Sequence, residues 1–278
     1  MRAFRLAYDG SGYRGFQRQP HGETVEDELF AALRELGVAF EGGSPVGYAA
    51  AGRTDAGVSA RAQTVALEAP AWLTPRALDG ELPGAIRAWA SADVEPGFHA
   101  THDAAERVYT YFLHAPAAEA HACEDAPAVD DGLAREACRR LSAEADFHNF
   151  TPDDEGTERA VSVSPRRDGA FLVIDCRAGG FARQLVRRLV SVVEAVARGV
   201  RDPSFINRAL GSEPLSGPDG ISPAAPEPLV LFDVSYPGVD FEIDGDALES
   251  AREVFGARRR ERLAAARVAG SLVPDGED

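Results

Sequence analysis

The chain has 278 residues, of which 45% are hydrophobic, so it is long enough to form one large or two ordinary globular domains. It has no apolar run of membrane-span length and no signal-peptide pattern, which predicts a cytoplasmic protein without membrane association. The formal net charge is -16, and all 29 basic residues are arginine. This balance is typical of a halophilic protein, whose carboxylates keep it soluble in molar salt, although GC-rich coding also favours arginine.

The cysteines and histidines do not indicate a metal centre. Cys123, Cys138 and Cys176 are widely spaced, without a CxxC pair, and are expected to be reduced thiols. His99 and His102 lie three residues apart, but no further ligand is close in the sequence. They are more typical of surface or capping residues.

The charge is distributed unevenly along the chain. Residues 117–158 hold twelve acids and three arginines, a balance of -9, whereas residues 159–208 hold ten arginines and four acids, a balance of +6. A basic segment in an acidic protein indicates an anionic partner, with chance clustering of surface charge as the alternative.

The first forty residues predict a strand, a loop and a helix. Residues 2–9 predict a strand, and residues 24–36 predict a helix with a capping-box-like start at Thr24. Between them, the loop 10–22 contains Arg14, Arg18, two glutamines and two aromatic residues. Such a loop suits base stacking and phosphate contact, but an ordinary surface loop is an equally good interpretation.

Residues 52–60 place one carboxylate, Asp55, between two glycines and two residues after Arg53. A weak strand pattern at 46–51 and a stronger one at 63–67 predict that this segment is a loop at the end of a sheet. From the residues alone, the favoured interpretation is a hairpin loop in which the aspartate caps its own backbone.

The remaining chain continues this mixed pattern. Predicted helices cover residues 75–81, 131–143, 181–198 and a charged C-terminal segment after Asp244, ending in a frayed tail. Predicted strands cover residues 86–94, 107–114, 160–164, 170–176 and 229–234. Residues 115–130 are predicted to be an exposed acidic insertion. In the helix 181–198, Arg183 and Arg187 are expected on one face, with Gly179 and Gly180 leaving its N-terminus open to an anion.

These elements predict an α+β fold of two halves with a mixed, mainly antiparallel sheet. The predicted divisions are an N-terminal half (1–104), a C-terminal half (105–240) and a charged helix and tail (241–278).

Several segments in series resemble the tRNA pseudouridine synthase A family. Residues 52–58 read Gly-Arg-Thr-Asp-Ala-Gly-Val, which is highly specific for that family. The supporting segments, each less specific alone, are 8–10, 15–19, 107–111, 146–150 and 181–187. The resemblance extends over residues 1 to about 236, apart from the insertion.

The resemblance implies two α/β, ferredoxin-like halves that form one sheet with a central basic cleft. It also implies the conversion of a tRNA uridine to pseudouridine without cofactor or metal, by a homodimer acting on uridines 38 to 40 of the anticodon stem-loop. Asp55 matches the family's catalytic aspartate, Arg187 its arginine partner and Tyr109 the aromatic residue beside the base. By the same resemblance Arg53 contacts the flipped nucleotide's phosphate or fills the gap that it leaves. Arg183 is expected to contact phosphate, although many relatives carry histidine at that position.

One carboxylate is sufficient for the isomerisation of uridine. It would act either as a nucleophile that attacks the sugar or the base, or as a group that stabilises a cationic or glycal intermediate. A bidentate arginine would orient that carboxylate and keep it ionised. The alternatives are an RNA-binding protein of the same fold without catalysis, and a synthase that modifies other RNA positions. A phosphate-binding nucleotide enzyme is disfavoured because the chain has no P-loop or dinucleotide motif.

Overall fold

The computed structural model describes residues 1–116 and 128–272 of the protein. The strands are β1 Arg2–Tyr8, β2 Phe40–Glu41, β3 Ser44–Pro45, β4 Ala49–Ala50, β5 Ser59–Leu67, β6 Ile86–Asp93, β7 Glu106–His114, β8 Ala143–Asp146, β9 Glu158–Asp168, β10 Phe171–Ala178, β11 Leu229–Ser235 and β12 Glu242–Ile243. The helices are α1 Val25–Glu35, α2 Pro75–Glu81, α3 Asp131–Leu141, α4 Leu185–Ala197, α5 Phe205–Ala209 and α6 Gly245–Ser271.

One large sheet organises the fold. Its strand order is β12-β6-β1-β5-β11-β7-β10-β9-β8, with β4 also paired to β5. Strands β5 and β11 are parallel, and the other pairings in this sheet are antiparallel. The prediction of an α+β fold with a mixed, mainly antiparallel sheet is therefore confirmed. The parallel pair β5–β11 joins the strands of the N-terminal part to those of the C-terminal part.

The alternation of side chains along β1 shows how the sheet is buried. Phe4, Leu6 and Tyr8 are buried in the main hydrophobic core, which also contains apolar residues of α1 to α5. Ala3 points to the other face and belongs to a small cluster that includes Ala100. Successive residues of a strand face opposite sides of the sheet, so the two-residue period predicted here corresponds to one buried face and one partly buried face.

Helix α1 begins where its sequence predicts. The Thr24 side chain accepts a hydrogen bond from the Asp27 backbone, and the Asp27 side chain accepts one from the Thr24 backbone, which completes a capping box. Leu29 and Leu33 of α1 are fully buried. Because the first turn is capped and the apolar stripe is buried, this helix is specified both locally and by packing.

The predicted helix 181–198 is wrong at its N-terminus. Helix α4 begins at Leu185, because Gln184 adopts a left-handed conformation with φ of 60° and precedes the first helical residue. Arg183 therefore lies in the preceding loop rather than on the helical face that carries Arg187. Gly180 lies five residues before Leu185, so Gly179 and Gly180 do not directly precede the helix N-terminus. The apolar period continues through Phe181, which explains why the pattern overextended the helix.

Several short elements were not predicted. Strands β2, β3, β8 and β12 and helix α5 have two to five residues, too few for a periodic pattern to be distinctive. The predicted C-terminal helix is present as α6, whose N-terminal part packs on α2 and β6.

Of the predicted insertion, residues 117–127 lie outside the described residues, as do Cys123 and the tail 273–278. Cys138 and Cys176 are buried free thiols. No helix in the described part is long and apolar enough to cross a membrane.

Candidate active site

A cleft of about 1740 Å³ brings all seven predicted site residues together. It is bounded by the loops around residues 14–19 and 48–58 on one side and by β7 and the segments 153–159 and 179–187 on the other. The predicted residues in its wall are Arg14, Arg18, Arg53, Asp55, Tyr109, Arg183 and Arg187. The cleft thus lies where the N-terminal and C-terminal strands meet.

The loop 52–58, which connects β4 to β5, is held in shape by hydrogen bonds to the body of the protein. The Gln63 amide donates to the Gly52 carbonyl at 2.8 Å. The Phe16 backbone N–H donates to the Thr54 carbonyl at 3.0 Å, and the Thr54 hydroxyl bonds the buried Tyr8 hydroxyl at 2.7 Å. Because both neighbours of Arg53 are fixed, the loop presents Asp55 from a defined backbone.

Two glycines allow this loop to pack closely. A Cβ atom at Gly10 would lie 2.0 Å from the Val58 carbonyl oxygen, so no other residue fits without displacing the loop. Gly57 has φ of 82° and faces the Pro226 ring, where a Cβ atom would lie 3.0 Å from Cγ. Gly10 and Gly57 therefore allow close packing within the protein, beside Asp55, which enters the cleft.

Asp55 is paired with Arg187, 132 residues further along the chain. Arg187 Nη1 donates to Asp55 Oδ2 at 3.0 Å, and the two side chains are 14% and 30% exposed for Arg187 and Asp55 respectively. The predicted bidentate contact is wrong in its geometry, since Arg187 Nε donates to the Ala224 carbonyl at 2.7 Å instead. That second bond, together with a 3.1 Å bond from the Ala224 backbone to the Arg187 carbonyl, fixes the guanidinium. The carboxylate is oriented while much of it still faces the cleft.

Tyr109 lies in the wall of the cleft, near the loop 52–58. Its ring is 8% exposed and packs edge-on against Phe181, with ring centroids 5.3 Å apart. A Cβ atom at Gly52 would lie 3.7 Å from its hydroxyl, which places the phenol beneath the start of the loop. Burial raises the pKa of Tyr109 to about 12, and the nearby Asp55 charge acts in the same direction. Tyr109 is therefore a neutral phenol at physiological pH.

Arg107 is a site residue that the sequence analysis missed, although it begins the segment 107–111. Its side chain is buried and donates to the Ala51 carbonyl at 3.0 and 2.7 Å and to the Thr101 carbonyl at 2.6 Å. It also donates to the Gly179 carbonyl. Burial lowers the pKa of this guanidinium. Arg107 thus joins both sides of the cleft through backbone carbonyls, and an arginine in an otherwise apolar strand was the available signal.

The predicted RNA-contacting arginines differ in their partners. Arg14 pairs with Glu23 at 2.6 Å, and Arg18 pairs with Asp27 at 3.1 Å. The Asp153 carboxylate accepts bonds from the Arg183 backbone and side chain at 2.9 and 3.1 Å. Within the described residues, exposed Arg53 makes no hydrogen bond or ion pair with the protein. The charge of Arg53 is therefore available to a ligand. Each of the other three arginines would exchange its carboxylate partner for a group of the ligand.

The cleft is basic in a protein that is acidic as a whole. Seven arginines line it against four carboxylates, a balance of +3 by subtraction, compared with -16 for the chain. This confirms the predicted basic cleft. Its arginines are Arg14, Arg18, Arg53, Arg107, Arg159, Arg183 and Arg187, and its carboxylates are Glu26, Asp55, Asp153 and Glu155.

Metal-binding side chains do not gather at this site. Within residues 1–116 and 128–272, no group of three or more His, Cys, Asp or Glu residues could hold a metal ion. His99 lines the cleft, and its ring nitrogen accepts a hydrogen bond from the Thr101 backbone. This contact agrees with the capping role expected from the sequence.

Comparison with known proteins places this fold and cleft in a defined class. Residues 137–237 match the family described as tRNA pseudouridine synthase. The protein is 69% identical to tRNA pseudouridine synthase A of Natronomonas pharaonis over 274 residues, which covers 99% of each chain. It is 59% identical to that of Haloarcula marismortui and 55% identical to that of Halobacterium salinarum, with 98% of each chain covered in both comparisons.

The class is thus that of the pseudouridine synthases, which are isomerases. Within it, near-full-length identities of 55–69% are far above chance similarity, and the chain belongs to the tRNA pseudouridine synthase A family. The haloarchaeal relatives agree with the salt adaptation predicted from the acidic, lysine-free composition.

Proposed function

We propose that the protein isomerises uridine to pseudouridine at positions 38 to 40 of the tRNA anticodon stem-loop, with Asp55 as the essential catalytic group. The observation that carries this proposal is the Asp55 carboxylate, held by Arg187 in a basic cleft beside Tyr109. The arrangement combines a reactive carboxylate, a cation that orients it and a ring that can stack on a base.

The reaction breaks the bond between the sugar C1′ and N1 of uracil and forms a bond between C1′ and C5. The C5 proton leaves and N1 gains a proton, so no oxidant, reductant or energy source is required. The base must stay in the site while it turns. A partly closed cleft with an oriented carboxylate and an aromatic wall provides the means to retain it.

Asp55 acts on the sugar or base during this exchange. It either forms a covalent bond to the nucleotide or stabilises the charge that develops when the glycosidic bond breaks, and both routes need the ionised carboxylate. The single hydrogen bond from Arg187 supports either route because Oδ1 of Asp55 is left without that partner. Arg187 therefore has the role of holding one oxygen while the other is presented to the nucleotide.

Tyr109 is proposed to stack on the flipped uracil and to assist the removal of the C5 proton. Since burial keeps the phenol neutral, it approaches the base without a repulsive charge near Asp55. Once the C1′–C5 bond has formed, the C5 proton is acidic, and the phenol relays it: the hydroxyl oxygen accepts this proton while its own proton passes to a water molecule, so that no tyrosinate forms. Phe181 supports this role by fixing the plane of the tyrosine ring.

The arginines at the cleft rim are proposed to bind the RNA backbone. Arg53 contacts the phosphate of the flipped nucleotide or fills the space that it leaves, since its side chain has no protein partner within the described residues. Arg14, Arg18 and Arg183 contact phosphates further along the strand, where phosphate oxygens replace Glu23, Asp27 and Asp153. An anticodon-loop nucleotide is a suitable target because flipping it costs little stacking energy.

A non-catalytic RNA-binding role fits the site less well. A protein that only binds RNA would gain affinity from the rim arginines but would have no use for a carboxylate, which repels phosphate. Asp55 is nevertheless placed in the cleft and held there by Arg187 from the opposite half. The Asp55–Arg187 pair therefore lowers the affinity of the cleft for RNA phosphates, but it supports catalysis.

The test is a modification map of an unmodified tRNA transcript that carries uridines at positions 38 to 40. The protein and transcript are incubated in concentrated KCl, and pseudouridine is located by carbodiimide treatment and reverse-transcription stops. Stops are expected at those positions and are expected to disappear in a transcript with cytidine there. Modification only at other positions would support the alternative synthase specificity, and no modification would contradict the proposed function.

The remaining expectations from the sequence and from the family resemblance stay predictions. They are a homodimer, a cytoplasmic location, catalysis without cofactor or metal, and divisions near residues 104 and 240. Light scattering in concentrated KCl would test the dimer, and turnover after dialysis against a chelator would test independence from metal.

A further inference from the structure

The distal part of α6 together with its C-cap, residues 256–272, is basic in a protein that is acidic as a whole. It contains five arginines and one glutamate, a balance of +4 by subtraction. Residues 245–255 of the same helix contain three acids and one arginine. Every residue from Arg259 to Leu272 is exposed. This segment, called the basic arm below, is therefore not held in place by a hydrophobic core.

The basic arm is attached to the body by two of its arginines. Arg258 Nη1 and Arg262 Nη2 donate to the same Asp9 oxygen at 2.7 and 2.6 Å, and the Asp9 side chain is 5% exposed. Although burial opposes ionisation, hydrogen bonds from Arg262, Ser11 and Arg258 lower the pKa of Asp9 to about 2. The anchor is therefore an ionised carboxylate at physiological pH.

The anchor lies at the same end of the sheet as Asp55. Asp9 follows β1, and the next residue, Gly10, donates to the Ser59 hydroxyl at the start of β5, directly after the loop 52–58. Nine helical residues, 263–271, continue beyond Arg262. At 1.5 Å per residue they extend about 14 Å from the anchor. The arm thus extends the protein's surface from the end of the sheet that carries the candidate catalytic loop.

The outer face of the arm carries unneutralised positive charge. At 100° per residue, Arg259, Arg267 and Arg260 lie about 80°, 160° and 180° around the helix from the anchored face. None of the three has an ion-pair partner among the residues that the structure describes. Four arginines between residues 258 and 262 repel one another, and all four lie outside the last turn of the helix, where the helix dipole would favour cations.

We propose that the basic arm is a second RNA-binding surface, on which Arg259, Arg260 and Arg267 contact backbone phosphates of the tRNA outside the stem-loop held in the cleft. The inference rests on the proposed function, because the occupant is the same tRNA. Charge complementarity favours a polyanion over a second copy of this acidic chain. The exposed apolar residues of the arm support the same choice: Leu263 lies about 140° from Val268 and about 180° from Leu272, so the three form no single apolar stripe for helix pairing.

The test compares two triple variants with equal net charge. The arm variant carries Arg259→Gln, Arg260→Gln and Arg267→Gln, which retains helix propensity. The control carries Arg135→Gln, Arg139→Gln and Arg166→Gln, at exposed positions that do not line the cleft. For each, Kd is measured for full-length tRNA and for the isolated anticodon stem-loop, over the KCl range in which the variants remain folded by circular dichroism.

For full-length tRNA, the arm variant is expected to bind roughly tenfold more weakly than the control, and the slope of log Kd against log salt is expected to fall by about 2. Binding of the stem-loop and the single-turnover rate at saturating tRNA should match the control. Equal Kd values and slopes for full-length tRNA would overturn the proposal, as would a change from dimer to monomer in the arm variant alone. Failure of the wild type to form pseudouridine would instead contradict the proposed function.

Discussion

Arg187 connects the carboxylate of Asp55, the proposed catalytic group, to helix α4. Its guanidinium divides its donors between the carboxylate and the Ala224 carbonyl, so it is fixed independently of the substrate. An orienting residue of this kind is expected to affect turnover more than affinity, because small displacements of a reacting group are costly in rate.

The first prediction compares Arg187→Ala with Arg183→Ala. Loss of Arg187 should reduce kcat by at least about 100-fold with a stability loss of about 1–3 kcal/mol. Loss of Arg183, which lies at the rim, should mainly raise KM. Steady-state kinetics and thermal unfolding of both variants test this. A loss of kcat in Arg187→Ala that is fully accounted for by the unfolded fraction would contradict the positioning role.

Asp79 provides a pH-dependent contribution to stability away from the cleft. Its Oδ1 accepts a hydrogen bond from the Ala88 backbone at 2.7 Å, whereas Oδ2 is buried without a hydrogen-bond partner in the described structure. Burial raises the pKa of Asp79 to about 7. A raised carboxyl pKa favours the folded state below the unfolded value of about 4, and this contribution is lost as pH rises through about 7.

The second prediction is therefore that Asp79→Asn stabilises the protein at about pH 8, by about 1–3 kcal/mol, and that this gain shrinks as the pH falls towards about 5. Thermal unfolding of wild type and variant across this range measures the effect. Asp154→Asn, at an exposed carboxylate, is the control and should follow the wild type. An equal pH dependence for Asp79→Asn and the wild type would contradict a buried, protonated Asp79.

At the scale of elements, the shape of the loop 52–58 depends on the turn after β1. Gly10 packs against the Val58 carbonyl, and the Tyr13 carbonyl accepts a bond from the Gly57 backbone at 3.2 Å. Two segments far apart in sequence thereby define the path of the backbone on either side of Asp55. The loop is consequently sensitive to changes that do not touch the substrate.

The third prediction compares two alanine substitutions in this turn. Gly10→Ala forces its new methyl group against the Val58 carbonyl, and should cost about 1–3 kcal/mol of stability and reduce turnover. Gly12→Ala meets no atom within 4 Å and should stay within about 0.5 kcal/mol of the wild type. Thermal unfolding and single-turnover assays distinguish them. Equal behaviour of the two variants would contradict the close approach at Gly10.

Elements with strong local signals could be predicted from the sequence. Helix α1 was recoverable because Thr24 and Asp27 cap it and its apolar residues follow the helical period. Strand β8 was not, because Ala143–Asp146 has no large apolar residue, and its exposed edge position removes the need for one. The start of α4 was also missed, since the left-handed conformation of Gln184 leaves no trace in the apolar period.

The candidate site was only partly accessible by the same means. Asp55 stood out by its position between glycines, but its pairing with Arg187 is a contact across 132 residues that no local pattern encodes. That pair was predicted through the family resemblance alone. Arg107 was missed because its partners are backbone carbonyls, which every residue possesses and which only the tertiary fold brings together.

At the scale of the whole molecule, the charge distribution is expected to make the stability of the protein depend on salt. A net charge of -16 repels itself, while the cleft retains a balance of +3. The screening length falls from about 10 Å at 0.1 M salt to about 3 Å at 1 M. Molar salt therefore removes most of the repulsion across the surface but leaves buried contacts such as the Arg107 bonds largely unaffected.

The fourth prediction is that the melting temperature rises steeply as KCl increases from about 0.1 M to about 1 M, because carboxylate repulsion is screened over this range. Differential scanning calorimetry at several KCl concentrations measures the change. A tenfold dilution of the protein at each concentration controls for any effect of association. A melting temperature independent of KCl would contradict the proposed salt adaptation.

The most direct test of the central claim is the turnover of Asp55→Asn with tRNA labelled by tritium at C5 of uridine. Tritium release is expected to fall by at least about 1000-fold, with tRNA Kd and melting temperature close to those of the wild type. Glu155→Gln, which removes another carboxylate from the same cleft, is expected to retain turnover. Tritium release by Asp55→Asn within tenfold of the wild type would contradict a catalytic role for Asp55.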